Sequence, residues 1–194
     1  MDQGHEVINL SFPLLDYLVP CYYILTTAEA SSNLSRYDGV HYGFRAAEAA
    51  DLEDLYLKTR SEGFGKEVQR RILLGNFVLS AEHYEAYYTQ AMKVRRLISK
   101  RTQELLAQCD ILLTPTAPST AFKIGEKTND PIEMFLSDVF TVHANLAGIP
   151  AISVPSGTHE NGLPIGLQLM GKAYEEATLL EGAQVLEDLV RAKN

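Results

Sequence analysis

The hydrophobic repeat of this 194-residue chain changes near Asp110, and that change constrains its fold more than any other feature. From Leu14 onward the apolar residues recur at helical spacing over long segments. After Asp110, short runs rich in leucine and isoleucine, bounded by proline or glycine, alternate with helical segments. Strands that alternate with helices are typical of layered α/β structures, so we predict the α/β class.

The part before Asp110 predicts one short strand and then only helices. The strand is expected over residues 6–12, where apolar residues are frequent and Pro13 follows. The predicted helices span residues 14–34, 51–61, 66–79 and 81–108. Because a strand at residue 6 has no partner in the sequence before residue 110, we expect a sheet with further strands outside this chain.

The part after Asp110 predicts three more strands and two helices. The strands are expected over residues 110–114, 151–154 and 165–170, each followed by a proline or a glycine. The helices are expected over residues 134–146 and 175–190. No internal repeat and no low-complexity linker divides the chain.

Charge and composition exclude several function classes. The net charge of −8 opposes binding to nucleic-acid phosphates, and the basic stretch 93–101 is typical of a solvated helix face. The longest apolar stretch, residues 19–30, is too short to cross a bilayer. With no leader-like amino terminus and only two cysteines, the sequence predicts a reduced, cytoplasmic protein.

The sequence contains no familiar catalytic or metal-binding motif. It has no nucleophile-elbow motif, no phosphate-binding glycine loop and no zinc spacing of cysteine and histidine. The five histidines are scattered, so we predict no metal site. The pair Ser31-Ser32 has no lysine or histidine nearby in sequence to act as its base, which favours a structural role.

Two charged residues flank apolar helix faces. On the predicted helix 66–79, Arg71 lies about 60° from the centre of the apolar stripe and Arg70 lies on the opposite side. Arg71 therefore requires an anionic partner, either an internal carboxylate or the carboxylate of a ligand. Asp138 is interpreted as an exposed helix residue or as a partner for a ligand ammonium group. The apolar stripe consists of Phe64, Val68, Ile72, Gly75 and Leu79.

Several stretches resemble the amidase signature family and, within it, the A subunits of tRNA-dependent amidotransferases. The most specific are Ala28-Glu-Ala-Ser-Ser-Asn-Leu34 and Arg60-Ser-Glu-Gly-Phe-Gly65. Stretches 93–98, 110–118, 145–150 and 162–168 match as well, and the last two are shared by many amidases. The resemblance implies a mixed sheet flanked by helices, with residues 1–194 as the C-terminal part of one amidase domain and the N-terminal half missing.

The resemblance also implies a chemistry and a set of partners. The family uses a lysine and two serines in a Gly/Ser-rich segment, which this sequence does not contain, so we expect no catalytic residue here and no activity of the chain alone. In the family, ammonia released from glutamine passes to a B subunit. That subunit uses ATP and magnesium to activate misacylated glutamyl-tRNA, a C subunit completes the complex, and tRNA is bound only through the complex.

By motif, the glutamine-binding residues of the family map onto Tyr22, Arg71 and Asp138. Arg71 suits the α-carboxylate of glutamine and Asp138 its ammonium group. Tyr23, next to Tyr22, is the other aromatic candidate. Three alternatives stay open: part of another amidase acting on a neutral amide, a non-catalytic ligand-binding module, and an inert fragment.

Overall fold

The computed structural model describes residues 4–126 and 131–192, and over these residues the fold is α/β. The helices are α1 (Leu15–Leu34), α2 (Leu52–Gly63), α3 (Lys66–Leu79), α4 (Gln90–Leu106), α5 (Pro131–Leu136), α6 (Thr141–Ala147) and α7 (Glu176–Arg191). The strands are β1 (Leu112–Pro115), β2 (Ala151–Thr158) and β3 (Pro164–Met170). The chain forms two compact units, a sheet unit (Met1–Pro20 and Val94–Asn194) and a helical unit (Cys21–Lys93), described separately below.

The sheet unit contains a three-stranded antiparallel sheet in the order β1-β3-β2. Met170 of β3 pairs with Leu112 on one side and with Ala151 on the other. Helix α7 covers the sheet through its apolar face, since Leu179 and Ala183 pack with Val154 and Leu169. The predicted α/β class is therefore confirmed. The mixed sheet remains a prediction, because the described strands all run antiparallel.

Strand β2 is longer than the sequence predicts, because it continues through Pro155 to Thr158. Proline cannot donate a ladder hydrogen bond, so it is tolerated in edge strands and at bulges. Both conditions hold here: β2 is an outer strand of the described sheet, and its register shifts between Pro155 and Gly157.

The predicted strand over residues 6–12 is wrong, since these residues have no regular structure. Leu10 and Phe12 instead pack their side chains against the buried cluster around Leu105 and Met170. Apolar residues at the spacing of a strand can thus anchor an irregular segment to the core without forming the hydrogen bonds of a β-sheet. Because residues 6–12 form no strand, they require no partner strand outside the chain.

The predicted helix over residues 134–146 is also wrong in detail, because a turn at residues 137–140 separates α5 from α6. Hydrogen bonds between residues three apart tighten this turn, and the Asp138 amide donates to the Phe135 carbonyl oxygen at 3.1 Å. Gln168 of β3 donates its side-chain amide to the Phe140 carbonyl oxygen at 2.9 Å and so ties the turn to the sheet. Similarly, the predicted helix 81–108 begins with a turn and a π-helical segment, Glu85–Thr89, before α4.

The helical unit depends on a close approach of α1 and α3 at Gly75. Gly75 is buried, and a Cβ atom there would overlap the Thr27 carbonyl oxygen and lie 2.6 Å from the Ser31 hydroxyl oxygen. Ser31 itself is 4 % exposed, and its hydroxyl donates to the Ala28 carbonyl oxygen at 2.9 Å. Ser31 thus contributes to the packing of α1 on α3, whereas Ser32 is exposed.

We predict that Gly75→Ala destabilises the chain, although alanine is the better helix former. The new methyl group collides with the Thr27 carbonyl oxygen and with the Ser31 side chain, and such overpacking costs about 1–3 kcal/mol of unfolding free energy. The control is Asn76→Ala, at the next and exposed position, where a change within about 0.5 kcal/mol is expected. Urea denaturation followed by circular dichroism measures both. Equal or higher stability of Gly75→Ala would show that α1 and α3 do not approach as described.

His143 lies in the core of the sheet unit and is held neutral there. It is 6 % exposed, its ring contacts Phe12 at a centroid distance of 4.3 Å, and its Nε2 lies 2.8 Å from Thr102 Oγ1. The Thr102 hydroxyl donates its hydrogen to the Ile98 carbonyl oxygen, so Thr102 Oγ1 accepts the His143 Nε2 proton. Burial lowers the pKa of His143 from 6.5 to about 4.

We predict that this histidine makes the fold acid-sensitive between pH 6.5 and about 4. In this window the unfolded chain binds a proton that the folded chain does not, so the unfolding free energy falls as the pH is lowered. The total loss should be on the order of 3 kcal/mol. His143→Asn should flatten the dependence of stability on pH from 7 to 4.5, whereas His159→Asn, at an exposed site, should not. Parallel curves for wild type and His143→Asn would contradict the assignment.

Candidate binding site

Among the described residues of the helical unit, Arg71 forms its hydrogen bond through one edge of its guanidinium group. On α3 its Nε donates to Glu67 Oε1 at 3.1 Å, while Arg70 Nη1 donates to Glu67 Oε2 at 3.0 Å. The Arg71 side chain is 39 % exposed and that of Arg70 is 63 % exposed, so Arg71 faces inward more, as the apolar stripe predicts. Within the described part of the helical unit, the Arg71 terminal nitrogens Nη1 and Nη2 donate no hydrogen bond.

Aromatic side chains of α1 support the flat face of the Arg71 guanidinium. The guanidinium carbon lies 5.5 Å from the centroid of the Tyr23 ring, within cation–π range. Tyr23 in turn meets Tyr22 edge-on, with ring centroids 5.5 Å apart and planes at 88°. Tyr23, the alternative to Tyr22, is therefore the tyrosine that touches Arg71, and Tyr22 belongs to the same aromatic pair.

The stretch Arg60–Gly65 sets the direction of α3 on the rest of the helical unit. Arg60 Nη1 donates to the carbonyl oxygens of Leu34 and Tyr37, at 2.8 and 3.1 Å, so it caps the C-terminal end of α1. Gln69 of α3 donates its side-chain amide to the carbonyl oxygens of Ser61 and Phe64, at 2.9 and 2.7 Å. This motif therefore fastens the loop before α3 and with it the position of Arg71.

Asp138 belongs to the sheet unit and is half-buried in the turn between α5 and α6. Its carbonyl oxygen accepts hydrogen bonds from the Thr141 hydroxyl at 3.1 Å and from the Val142 amide at 3.0 Å. The residue thus precedes the first turn of α6 instead of lying within a helix. Its side chain is neither fully solvated nor fully enclosed, which is compatible with a contact to a ligand cation.

A groove of about 860 Å³ in the sheet unit is not indicated by any catalytic motif of the sequence. A hydroxyl pair lies in it, with Thr116 Oγ1 and Ser153 Oγ 2.7 Å apart. A Cβ atom on Gly166 would lie 3.0 Å from each of these oxygens, so glycine keeps the pair accessible. Adjacent hydroxyl groups can donate to and accept from an amide. The only sequence signal is that Thr116 and Gly166 lie in stretches that resemble those of amidases.

Among the described residues, the shifted pKa values do not point to a catalytic group. Hydrogen bonds from the Val40 amide and from His41 lower the pKa of the half-buried Asp38 to about 2. Burial raises the pKa of the Cys109 thiol.

Among the described residues there is no group of three or more histidine, cysteine or acidic side chains that could hold a metal ion. None of the described helices has the length and apolarity required to span a membrane.

Comparison with known proteins identifies the family of this chain. The amidase family model matches residues 1–180. The A subunit of glutamyl-tRNA(Gln) amidotransferase from Pelagibacter ubique is 54% identical over 193 residues, which are 100% of this chain and 40% of that protein. The protein of the same name from Desulforamulus reducens is 58% identical over 184 residues, 95% of this chain and 38% of that protein. The chain thus spans about 40% of the length of these relatives.

Solved structures agree with this assignment. The structure of the glutamyl-tRNA(Gln) amidotransferase A subunit from Thermotoga maritima matches with a TM-score of 0.60 and 45% identity, over 88% of this chain and 32% of that chain. A 6-aminohexanoate cyclic dimer hydrolase matches with a TM-score of 0.69 and 21% identity, over 98% of this chain and 38% of that chain, and supports the fold alone. The chain belongs to the amidase family.

Proposed function

We propose that this chain is the glutamine-binding part of the A subunit of a tRNA-dependent amidotransferase. The observation that carries the proposal is the state of Arg71, whose terminal nitrogens are unused within the described part of its unit although its Nε edge and one face are held. A guanidinium with an open fork is suited to bind a carboxylate bidentately. The names and the 52–58% identity of the relatives support the same assignment.

In the proposed reaction, this part of the A subunit orients glutamine while another segment of the amidase domain supplies the nucleophile. A serine, activated by a lysine through a second serine, attacks the side-chain amide and releases ammonia. A B subunit holding ATP and magnesium activates the glutamate of Glu-tRNA(Gln), which the ammonia converts to Gln-tRNA(Gln), and a C subunit completes the complex. We accordingly assign the whole enzyme to ATP-dependent ligases of cytoplasmic protein biosynthesis, and expect no cofactor on this chain and no activity from it alone.

The roles of the binding residues follow from their charge. Arg71 is assigned to the α-carboxylate of glutamine and Asp138 to its ammonium group, because each offers the opposite charge. Tyr22 is assigned to the substrate as well, because it belongs to the aromatic pair beside Arg71. No binding role is proposed for Arg70, which is the more exposed of the two arginines.

One observation favours a second candidate, an amidase that acts on a neutral amide. Glu67 already gives Arg71 an internal carboxylate partner, as a purely structural arginine would require. In that case Arg71 would need no ligand. The two candidates differ in whether loss of Arg71 impairs the use of glutamine.

We predict that Arg71→Ala lowers kcat/KM for glutamine about 10–150-fold, the loss expected for a charge-assisted hydrogen bond. The assay is ammonia release by a chimera in which this chain replaces the matching 40% of the Pelagibacter ubique relative. Arg70→Ala is the matched comparison: it loses the adjacent guanidinium on the same carboxylate, and should lower kcat/KM less than about threefold because exposed pairs contribute little. Equal values for the two variants would refute the carboxylate role of Arg71.

We predict a substrate-dependent effect for Asp138→Asn in the same chimera. The change should lower kcat/KM more than about tenfold for glutamine, whose ammonium group loses its charged partner. It should matter little for glutaramate, which has the same amide and carboxylate but no α-amino group. Asp110→Asn, at an exposed aspartate of the same unit, serves as control. An equal loss for both substrates would assign Asp138 to structure instead of binding.

A further inference from the structure

We propose that Glu67 and Tyr23 are positioning residues that hold the Arg71 guanidinium in an end-on orientation toward the carboxylate of the substrate. The inference rests on the proposed function, because it presumes a substrate that carries a carboxylate. It extends that function by explaining how a half-buried arginine is oriented before glutamine binds.

The contacts of Arg71 divide its guanidinium into occupied and available parts. Glu67 takes the Nε edge at 3.1 Å, and the Tyr23 ring lies under one face with its centroid 5.5 Å from the guanidinium carbon. A guanidinium can bind a carboxylate side-on, through Nε and one Nη, or end-on, through both Nη atoms. Occupation of Nε by Glu67 removes the side-on mode and leaves the end-on mode.

The two oxygens of the Glu67 carboxylate bind two different arginines, so Glu67 does not compete with the substrate carboxylate for the terminal nitrogens of Arg71. Its Oε1 accepts a hydrogen bond from Arg71 Nε, and its Oε2 accepts one from Arg70 Nη1 at 3.0 Å. A carboxylate that mimicked glutamine would instead occupy both terminal nitrogens of Arg71. One carboxylate between two guanidinium groups also leaves a net positive charge, so the cluster still attracts an anion.

The place of Glu67 on α3 suits an acidic side chain and keeps its carboxylate close to Arg71. It lies in the first turn of the helix, where the helix dipole favours a negative charge. It also precedes Arg71 by four residues, the favourable order for an acid–base pair on a helix surface. The side chains of Glu67 and Arg71 are 47 % and 39 % exposed, so the pair contributes little to stability and its effect should be on substrate binding.

Tyr23 restrains the remaining freedom of the guanidinium. A hydrogen bond to Nε alone allows the group to swing about that contact, whereas an aromatic ring beneath one face restricts the swing. Tyr23 is itself held, because its carbonyl oxygen accepts the Thr27 hydroxyl at 2.6 Å and its ring meets Tyr22 edge-on. The helix contact at Gly75 lies one turn further along both helices, so ring and guanidinium are kept in register.

The test measures kcat and KM for glutamine in the chimera described above. Glu67→Ala should raise KM about tenfold and leave kcat within about twofold, as loss of uniform substrate binding requires. Glu67→Gln should restore most of the affinity, because its amide oxygen still accepts from Nε. Tyr23→Leu should raise KM about fivefold, whereas Tyr23→Phe keeps the ring and should change it less than about twofold. Glu53→Ala removes an acid from the first turn of α2 and is the matched control.

A substrate without the carboxylate separates positioning from a structural role. With 4-aminobutanamide, which is glutamine lacking its α-carboxylate, Glu67→Ala and Tyr23→Leu should have the same kcat/KM as the parent chimera. In an Arg71→Ala background, Glu67→Ala should cause no further loss for glutamine. The proposal would be overturned by an equal loss of kcat/KM with both substrates. It would also be overturned if Glu67→Ala caused its full loss in the Arg71→Ala background.

The outcomes also separate this proposal from the function on which it rests. If Arg71→Ala impairs glutamine use but Glu67→Ala leaves KM unchanged or lowers it, Glu67 does not position Arg71 and only this inference fails. If Arg71→Ala itself has no effect, the proposed function fails as well. Should Glu67→Ala not fold, Glu67→Asp withdraws the carboxylate by one methylene and should raise KM in the same way. An unchanged KM for that variant would equally overturn the proposal.

Discussion

The contact between the backbone of α1 and Gly75 of α3 is the constraint on which the helical unit depends. Only a residue without a side chain allows the Thr27 carbonyl oxygen so close to α3, and the buried Ser31 hydroxyl fills the space beside it. One helical turn earlier on both helices, the same approach brings Arg71 over the ring of Tyr23. The geometry of the candidate site is thus a consequence of helix packing, and the charged side chains on the surface do not determine it.

Much of this arrangement follows from the sequence, and the failures of prediction have physical causes. The bounds of α3 and the inward tilt of Arg71 relative to Arg70 follow from one apolar stripe, because a helix converts spacing directly into direction. The strand predicted over residues 6–12 is wrong because apolar residues that anchor an irregular segment can have the spacing of a strand. The break at Asp138 depends on a hydrogen bond from Gln168, a residue remote in sequence, which no local pattern contains.

The partner of Arg71 shows where reasoning from spacing stops short. Glu67 stands four residues before Arg71, so the sequence alone permits an acid–base pair on the helix surface. Spacing does not reveal which guanidinium nitrogen binds the carboxylate. This detail decides whether the terminal nitrogens of Arg71 remain available for a ligand. Tyr23 and Tyr22 are likewise equivalent by composition, and only the packing of α1 against α3 selects Tyr23 as the support of Arg71.

In the proposed binding mode, Arg71 binds the substrate carboxylate through its terminal nitrogens while Glu67 keeps its hydrogen bond to Nε. A crystal structure of the chimera with glutamine bound tests it most directly. We expect both carboxylate oxygens at about 2.7–2.9 Å from Nη1 and Nη2, with the Glu67 contact preserved. A glutamine carboxylate bound elsewhere, or one that replaces Glu67 at Nε, would contradict it.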